Sequence, residues 1–581
     1  MLLLAVSMTA SPWGKAEVNA PSEAVEKKPF TLDLVISPLL KSMAVPEKRP
    51  KMIGEQMAIA SSSEKARDYV TQGFALVHAQ WDFEAYRNFC VALQEDPDCL
   101  MAYCGVALSL ARPHNEYIAF RRAAVDRVLD LLEADKSLED AEQLGRYPDV
   151  EKEFAAAVVT LVSTSPRTAG AMFHQISQEY PNFVQAQLLA LFLSRGGYDM
   201  MGDPMPGQVQ AVQRSRKFLE KYPENPMVIG FWLSLNVSAP RTALDFEKEL
   251  LPYARKLVEI DPELPSWQYV LGYYEWRVGN HPAAQKAFGK AAELYAHWMK
   301  EESVGVNDCE GFIKAKCFQA NVLYQSGHFD EAMKVAQEVR GIKLDPKRPQ
   351  SQGNAMLLWC GYNLPARLYL SRGEKGDMDK ALKSLPGAKE VASFVKHKKY
   401  PTLAGVYTDA LSIYLGCRKA IDQKDLKAAK SLHRDVFRKH IKDLAQVSKS
   451  ATQVSDYAHF LRAGNCLAVY DSELAGLIAW RGPEQTRVVA AGQFLAARDK
   501  QQPSSVMISP LLLVPMDNRL GEYYLSAADP EEALAAYQDA NKRIVNNVES
   551  LQGMKRSLLL LEKNDEADRV QQWIDALVGG Q

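Results

Sequence analysis

The side chains that could do acid–base, nucleophilic or metal chemistry are spread thinly along the 581-residue chain, and spacing decides what they can do together. Ten histidines are dispersed. His433 and His440 share a predicted helical face but lie two turns apart, about 10 Å by helical rise, too far to hold one metal ion. His78 comes just before Trp81 near the end of a predicted helix, where it either points into a groove or serves in packing. The acid pairs Asp565-Glu566 and Glu531-Glu532 stand at predicted helix starts, where negative charge meets the positive end of the helix dipole. No GxSxG elbow, HExxH, P-loop or GxGxxG occurs. Cys90, Cys99, Cys104, Cys309, Cys317, Cys360, Cys417 and Cys466 form no CxxC and have no His at zinc spacing. They read as small buried hydrophobes, with Cys309 and Cys317 close enough in sequence to try a disulfide. The expectation is a chain with no catalytic residues, metal or cofactor. A competing reading is an enzyme whose site lies between structural repeats and uses His78, His114 and nearby acids.

One stripe does suit recognition. Tyr269, Tyr273, Trp276 and Arg277 recur at helical spacing around Gly272. Asn321, Tyr324 and Gln325 occupy the matching face of a later helix. Aromatics with Arg are the residue types enriched at binding hot spots. The stripe, with His78, is therefore the candidate binding surface, and the alternative is that its aromatics fill the core between neighbouring helix pairs. A clamp for a peptide carboxylate would need Lys and Asn at set places. Asn321 supplies one, but Cys317 stands where the Lys would be.

The elements that must carry these residues follow from repeats. Gly73 is followed by Ala85, Phe89, Ala92 and Pro97, Gly272 by Ala284, Phe288 and Ala291, and Gly521 by Ala533, Tyr537 and Ala540, at identical offsets from Gly to the second Ala. With aromatics at 9% and 33 glycines, fewer than about one chance match is expected, so three matches carry weight. Ala320 and Ala332, around the turn phrase GHFDEA, mark a weaker copy, and Gly279, Gly373 and Arg481-Gly482 mark further turns. Pro181, Pro223 and Pro262 close units, because proline cannot continue a helix but suits the first turn of the next. Such helix pairs cannot bury their own apolar faces, so they stack into a shared core. The fold expected is all-α, a right-handed superhelix of antiparallel helix pairs. Strand signals are nearly absent, and Ser504–Val514, punctuated by Pro503, Pro510 and Pro515, reads as an extended linker.

The expected organisation is an apolar, signal-like segment over 1–20, an extended or disordered linker over 21–62, repeats over 63–350, degenerate helical repeats over 351–503 and closing repeats over 504–581. A net charge of −2, with only short basic stretches at Lys396–Lys399 and Arg434–Lys442, argues against a nucleic-acid partner. No internal apolar run approaches the ~20 residues of a spanning helix. Met1–Met8 followed by small and polar residues is similar to a secretory signal, although no Lys or Arg precedes the apolar run. Export to a periplasm or cell surface is expected, with the cytoplasm as the alternative.

The Gly, Ala and aromatic offsets resemble the tetratricopeptide repeat superfamily over about Ser63 to Leu577. Gln72–Leu108 and Arg519–Arg543 also resemble the first and last repeats of an uncharacterised group of bacterial tetratricopeptide proteins. That group often carries several His near its middle repeats, whereas Ser266–Ala284 here has only His281, so no site is carried over. The resemblance implies a helical scaffold that binds a protein or peptide along its inner face. A purely structural spacer is the remaining alternative.

Overall fold

The computed structural model describes residues 29–52, 59–111, 115–140, 144–199, 203–241, 243–349, 351–387, 390–391, 403–450, 457–502 and 505–579. Among these the fold is all-α, with helices packed in consecutive pairs and only two isolated β-bridges, Tyr198 with Pro204 and Ser505 with Ile508. The 1–20 segment lies outside the described residues. The chain forms two compact units, with the main changeover at Ala239–Pro240.

The first unit comprises residues up to 239 together with 252–267 and 298–304. Its longer helices are α1 (Glu64–His78), α2 (Asp82–Glu95), α3 (Leu100–Ser109), α4 (Ile118–Asp140), α5 (Asp149–Ser163), α6 (Pro166–Glu179), α7 (Val184–Ser194), α8 (Gln208–Lys221) and α9 (Pro226–Leu235). Capping sets several starts: Ser63 accepts from the Ala66 amide, Ser165 precedes Pro166, and Asn225 accepts from the Met227 and Val228 amides before a helix that opens with proline. Pro181 and Pro223 fall in the turns that follow α6 and α8. Phe89 of α2 sits between Gly73 of α1 and Gly105 of α3, and a Cβ on either glycine would meet its ring at under 3.0 Å. Ala85, Phe89 and Ala92 are fully buried.

The described part of the expected 21–62 linker is docked rather than loose. Val35, Ile36, Leu40 and Met52 are buried against this unit. Tyr86 donates its hydroxyl to the Val35 carbonyl (2.6 Å) and accepts from the Ser37 amide (3.0 Å). Tyr69 donates to the Pro46 carbonyl (3.0 Å), Gln72 to that of Glu47 (2.8 Å), and Arg87 Nε to that of Ala44 (3.2 Å). Composition gives such a polar, proline-bearing stretch no helical period. It is held because side chains on α1 and α2 satisfy its main chain.

The second unit comprises residues 240–251, 268–297 and 305–581. Helices α10 (Leu251–Ile260), α11 (Pro265–Arg277) and α12 (His281–Glu301) run through both divisions of the chain. They are followed by α13 (Glu310–Gln325), α14 (Phe329–Gly341), α15 (Leu364–Arg372), α16 (Asp377–Ser384), α17 (Leu403–Asp422), α18 (Tyr457–Trp480), α19 (Ala490–Lys500), α20 (Asp517–Ser526), α21 (Pro530–Arg543), α22 (Val548–Leu560) and α23 (Asn564–Gly579). Gly272 lies against Phe288, and Tyr537 of α21 is held between Gly521 of α20 and Gly553 of α22 as Phe89 is in the first unit. Ala284, Ala320, Ala332 and Ala533 are fully buried. Gly279, Gly327 and Gly373 adopt positive φ at the turns, where a side chain would be strained.

Candidate functional site

The aromatic stripe on α11 is packed rather than open. Tyr269 (5% exposed), Tyr273 (0%) and Trp276 (3%) are buried. Their rings meet Phe318 of α13 edge-on, at centroid distances of 5.6, 6.1 and 5.7 Å, and Phe288 stacks on the same ring at 5.1 Å. These rings fill core between neighbouring helices. Arg277 stays half-buried, donates to the Tyr273 hydroxyl (2.8 Å), and lies over the Phe246 ring. Asn321 and Gln325 on α13 are buried, and Tyr324 is half-buried.

What covers this face is the chain's own 505–515 segment. Tyr269 donates its hydroxyl to the Val506 carbonyl. Arg367 of α15 donates Nη1 to the Pro510 carbonyl (2.7 Å), and Gln325 donates to the Leu513 carbonyl (3.0 Å) while accepting from Trp276 Nε1 (2.6 Å). At the far end Gln501 donates to the Val514 carbonyl (3.2 Å) and accepts from the Met516 amide (2.8 Å). Val506, Ile508, Leu511, Leu513 and Val514 are all buried. The segment is irregular, with a turn closed by the Ser505–Ile508 bridge, and it is no exposed linker: it packs across α11, α13 and α15. Periodicity could not show this, because a segment with no period carries no clue to what it packs against.

Arg367 was not singled out by sequence reading and is the most consequential of these side chains. It is 1% exposed, and its two Nη groups donate to the Pro510 and Cys360 carbonyls, the latter also at 2.7 Å. Among the described residues no carboxylate pairs with it. The Cys360 carbonyl belongs to a π-helical turn, Leu357–Gly361, in which Tyr362 N donates to Leu357 O. Such a wide turn shifts the usual ladder, a feature common at functional places in helices. The Cys360 and Cys317 thiols lie beside Ser509 of the segment, and burial pushes both upward.

Deeper in the unit a charged network ties α17, α18 and α20 together. Glu473 of α18, 1% exposed, accepts from Arg418 (3.0 Å), Arg519 (2.9 Å) and the Tyr414 hydroxyl (2.5 Å). Burial alone would raise the Glu473 carboxyl, but the two guanidinium groups outweigh it and hold it below its ordinary value. Glu549 on α22 accepts from the Tyr324 hydroxyl (3.2 Å), and burial pushes it up to about 7 despite Arg519 nearby.

The sequence matches no family model and no curated protein. The fold is similar to a chain of the crystal structure of the APC/C hetero-tetramer Cut9–Hcn1, with 15% identity, 85% of this chain and 84% of that chain covered, and a TM-score of 0.29. It is also similar to the human IFIT1 dimer with m7Gppp-AAAA, at 11% identity, 94% and 98% coverage and a TM-score of 0.30. The human IFIT1 dimer with PPP-AAAA matches at 12% identity, 94% and 96% coverage and a TM-score of 0.27. The fold class, all-α with helices packed in consecutive pairs, rests on that packing itself.

The remaining candidates fall into place as packing residues. His78 is 4% exposed, pairs its Nε2 with Gln185 Oε1 (2.7 Å), and meets the Phe231 ring edge-on. Burial drives its imidazole down to about 4, so it is neutral at ordinary pH. Its place in a groove is thus corrected: the end of α1 is covered by α9, whose Gly230 comes against the His78 carbonyl. His114 lies outside the described residues. His433 is buried and pairs its Nε2 with Asp471 Oδ1 (2.7 Å). All eight cysteines are free and buried, so the Cys309–Cys317 disulfide is not made. Among the described residues no group of His, Cys, Asp or Glu could hold a metal ion, and no helix is long and apolar enough to cross a membrane.

Proposed function

We propose that this protein is a non-enzymatic scaffold that binds polypeptide, with the partner lying as extended chain against the helix pairs. One observation carries the reading. Each unit already holds an irregular stretch of its own chain by aiming side-chain donors at main-chain carbonyls: Tyr69, Gln72, Tyr86 and Arg87 in the first, Tyr269, Gln325 and Arg367 in the second. Main-chain bonding gives affinity for extended chain with little demand on its sequence, and the buried apolar residues between the bonds supply the preference. The near-neutral net charge supports a polypeptide over a nucleic acid.

The test is a photo-crosslinking amino acid placed at Tyr324, which is half-buried beside Glu549, with exposed Val488 as the control position. An adduct at Tyr324 that a protease removes and a nuclease leaves, and that is missing at Val488, is the expected result. A nuclease-sensitive adduct overturns the proposal. Export to a cell envelope belongs to the same proposal on the strength of the apolar start at Met1–Met8, and cell fractionation tests it.

A further inference from the structure

The connection between α19 and α20 is longer than joining two helices requires. Helices α21 and α22 of the same unit are joined through Ile544–Asn547, whereas α19 and α20 are joined through residues 501–516. The extra length meets three donors from three different helices, Tyr269 of α11, Gln325 of α13 and Arg367 of α15.

The occupant fits this face only in part. Arg367 is a buried guanidinium with no carboxylate partner among the described residues, and its Nε has no hydrogen-bond partner. A buried charge is ordinarily matched by an opposite one. Asn321, one helical turn from both Cys317 and Gln325, is 0% exposed and neither atom of its amide has a partner. Cys317 adjoins Ser509 of the segment and Gln325 bonds Leu513, so Asn321 stands on the strip of α13 between those two contacts. The segment thus satisfies the apolar residues and three donors of its site and leaves Arg367 without a counter-charge and the Asn321 amide without a partner.

We propose that residues 505–515 are a resident ligand of this face, and that its partner is an extended apolar polypeptide segment bearing a carboxylate opposite Arg367, where the resident segment offers only the Pro510 carbonyl. This rests on the polypeptide-binding reading above. A carboxylate accepts both N–H groups of one edge of a guanidinium and supplies the missing opposite charge, which a carbonyl cannot do. That difference is what allows a partner in solution to compete with a segment held nearby at millimolar effective concentration.

The experiment uses the full chain with residues 505–515 replaced by Gly and Ser at equal length, so that the connection is kept. The probes are a peptide of residues 505–515 and a peptide of residues 505–510, the latter as free acid and as C-terminal amide, which puts a carboxylate or a carbonyl at the Pro510 position. Titration calorimetry is expected to show one molecule of the longer peptide bound per chain, and the free acid bound about 10-fold more tightly than the amide. Arg367→Gln in the same background removes the difference between acid and amide. The unaltered protein binds each probe about 100-fold more weakly, because the resident segment competes. Equal binding of acid and amide, or no binding by a variant that retains its helical circular dichroism, overturns the proposal.

If the variant does not fold, hydrogen exchange on the unaltered chain decides. The amides of 506–514 must exchange through local opening, ahead of α13 and α15, and faster when the free-acid peptide is present. Exchange only with the whole unit overturns the inference. A protease-sensitive adduct at Tyr324 that none of these peptides displaces leaves the broader binding reading standing and sinks this one.

Discussion

The aromatic ring held between two glycines gives a sharp prediction. In Gly105→Ala the new Cβ would come well inside 3.0 Å of the Phe89 ring, and the ring has no retreat: on its other side a Cβ at Gly73 would already stand 2.6 Å from Cε1. Phe89 is 0% exposed, so the neighbouring helices must part. Overpacking of this kind costs about 1–3 kcal/mol, and closure on both sides of the ring places the substitution at the upper end. Alanine returns about 1 kcal/mol over glycine in a helix interior, which leaves a net destabilisation of about 2 kcal/mol. Gly492→Ala on α19 is the control, since a Cβ there meets nothing within 4 Å, and it should stabilise by up to about 1 kcal/mol. Two units need not unfold together, so exchange of the α1–α3 amides is a better readout than a single melt. Phe89→Leu should restore much of the loss in the double variant, giving a coupling of opposite sign to the single effects. A Gly105→Ala protein as stable as Gly492→Ala, or one that Phe89→Leu makes worse, refutes the close-packing argument.

Four further outcomes follow from features already described. Asn321→Leu should stabilise the second unit by about 1–2 kcal/mol in a urea titration, because it removes a buried amide with no partner; a loss of stability would mean the amide is satisfied. Glu473→Gln should destabilise the unit by about 3–5 kcal/mol, since Arg418 and Arg519 then lose a buried counter-charge. Glu151 is 1% exposed, accepts from the Ala60 amide, and is pushed by burial from an ordinary 4.5 to about 7. A raised carboxyl binds its proton more tightly when folded, so its contribution is full below about 4.5 and is lost as pH rises toward 7. Unfolding of Glu151→Gln should therefore depend less on pH across that window than unfolding of the parent, and parallel curves would discount the group. Burial holds the Cys466 thiol up to about 12 and Cys360 up to about 11, so the native protein should react slowly with a thiol reagent and quickly once denatured.

Much of the fold could be read from residue spacing. The Gly73–Phe89, Gly272–Phe288 and Gly521–Tyr537 offsets encode a small residue facing a ring, and that contact is local enough for sequence to specify. Gly105 and Gly553, the second wall of each ring, escaped notice because they belong to the next pair and match no offset within one repeat. The candidate site was less legible. Tyr269, Tyr273, Trp276 and Gln325 do lie together, but whether they face solvent depends on a segment 188 residues from Gln325 and 237 from Tyr269 at its hydrogen bonds. Arg367 carried no signal at all: its neighbours are backbone carbonyls, and a carbonyl looks the same in every residue. The docking of the 29–52 stretch leaves no mark in its residues for a similar reason, since Tyr86 and Arg87 hold its main chain rather than its side chains.

The far ends of the second unit also meet. Asn546 donates to the Gly279 carbonyl (2.7 Å), His281 pairs with the Val545 carbonyl (3.1 Å), and the Gly327 turn lies against Val578 of α23. A stack of repeats normally behaves as a ladder, whose end rungs loosen first and can be added or lost without disturbing the middle. Here the last rungs are fastened to the first, with the 505–515 segment drawn between them. Loosening either end pair then breaks contacts at the other, so the helix pairs resist fraying from their ends, while the 505–515 segment keeps a local opening of its own. Truncation at α21 would not shorten this unit by one repeat; it would uncover the turns at Gly279 and Gly327 and release the ring.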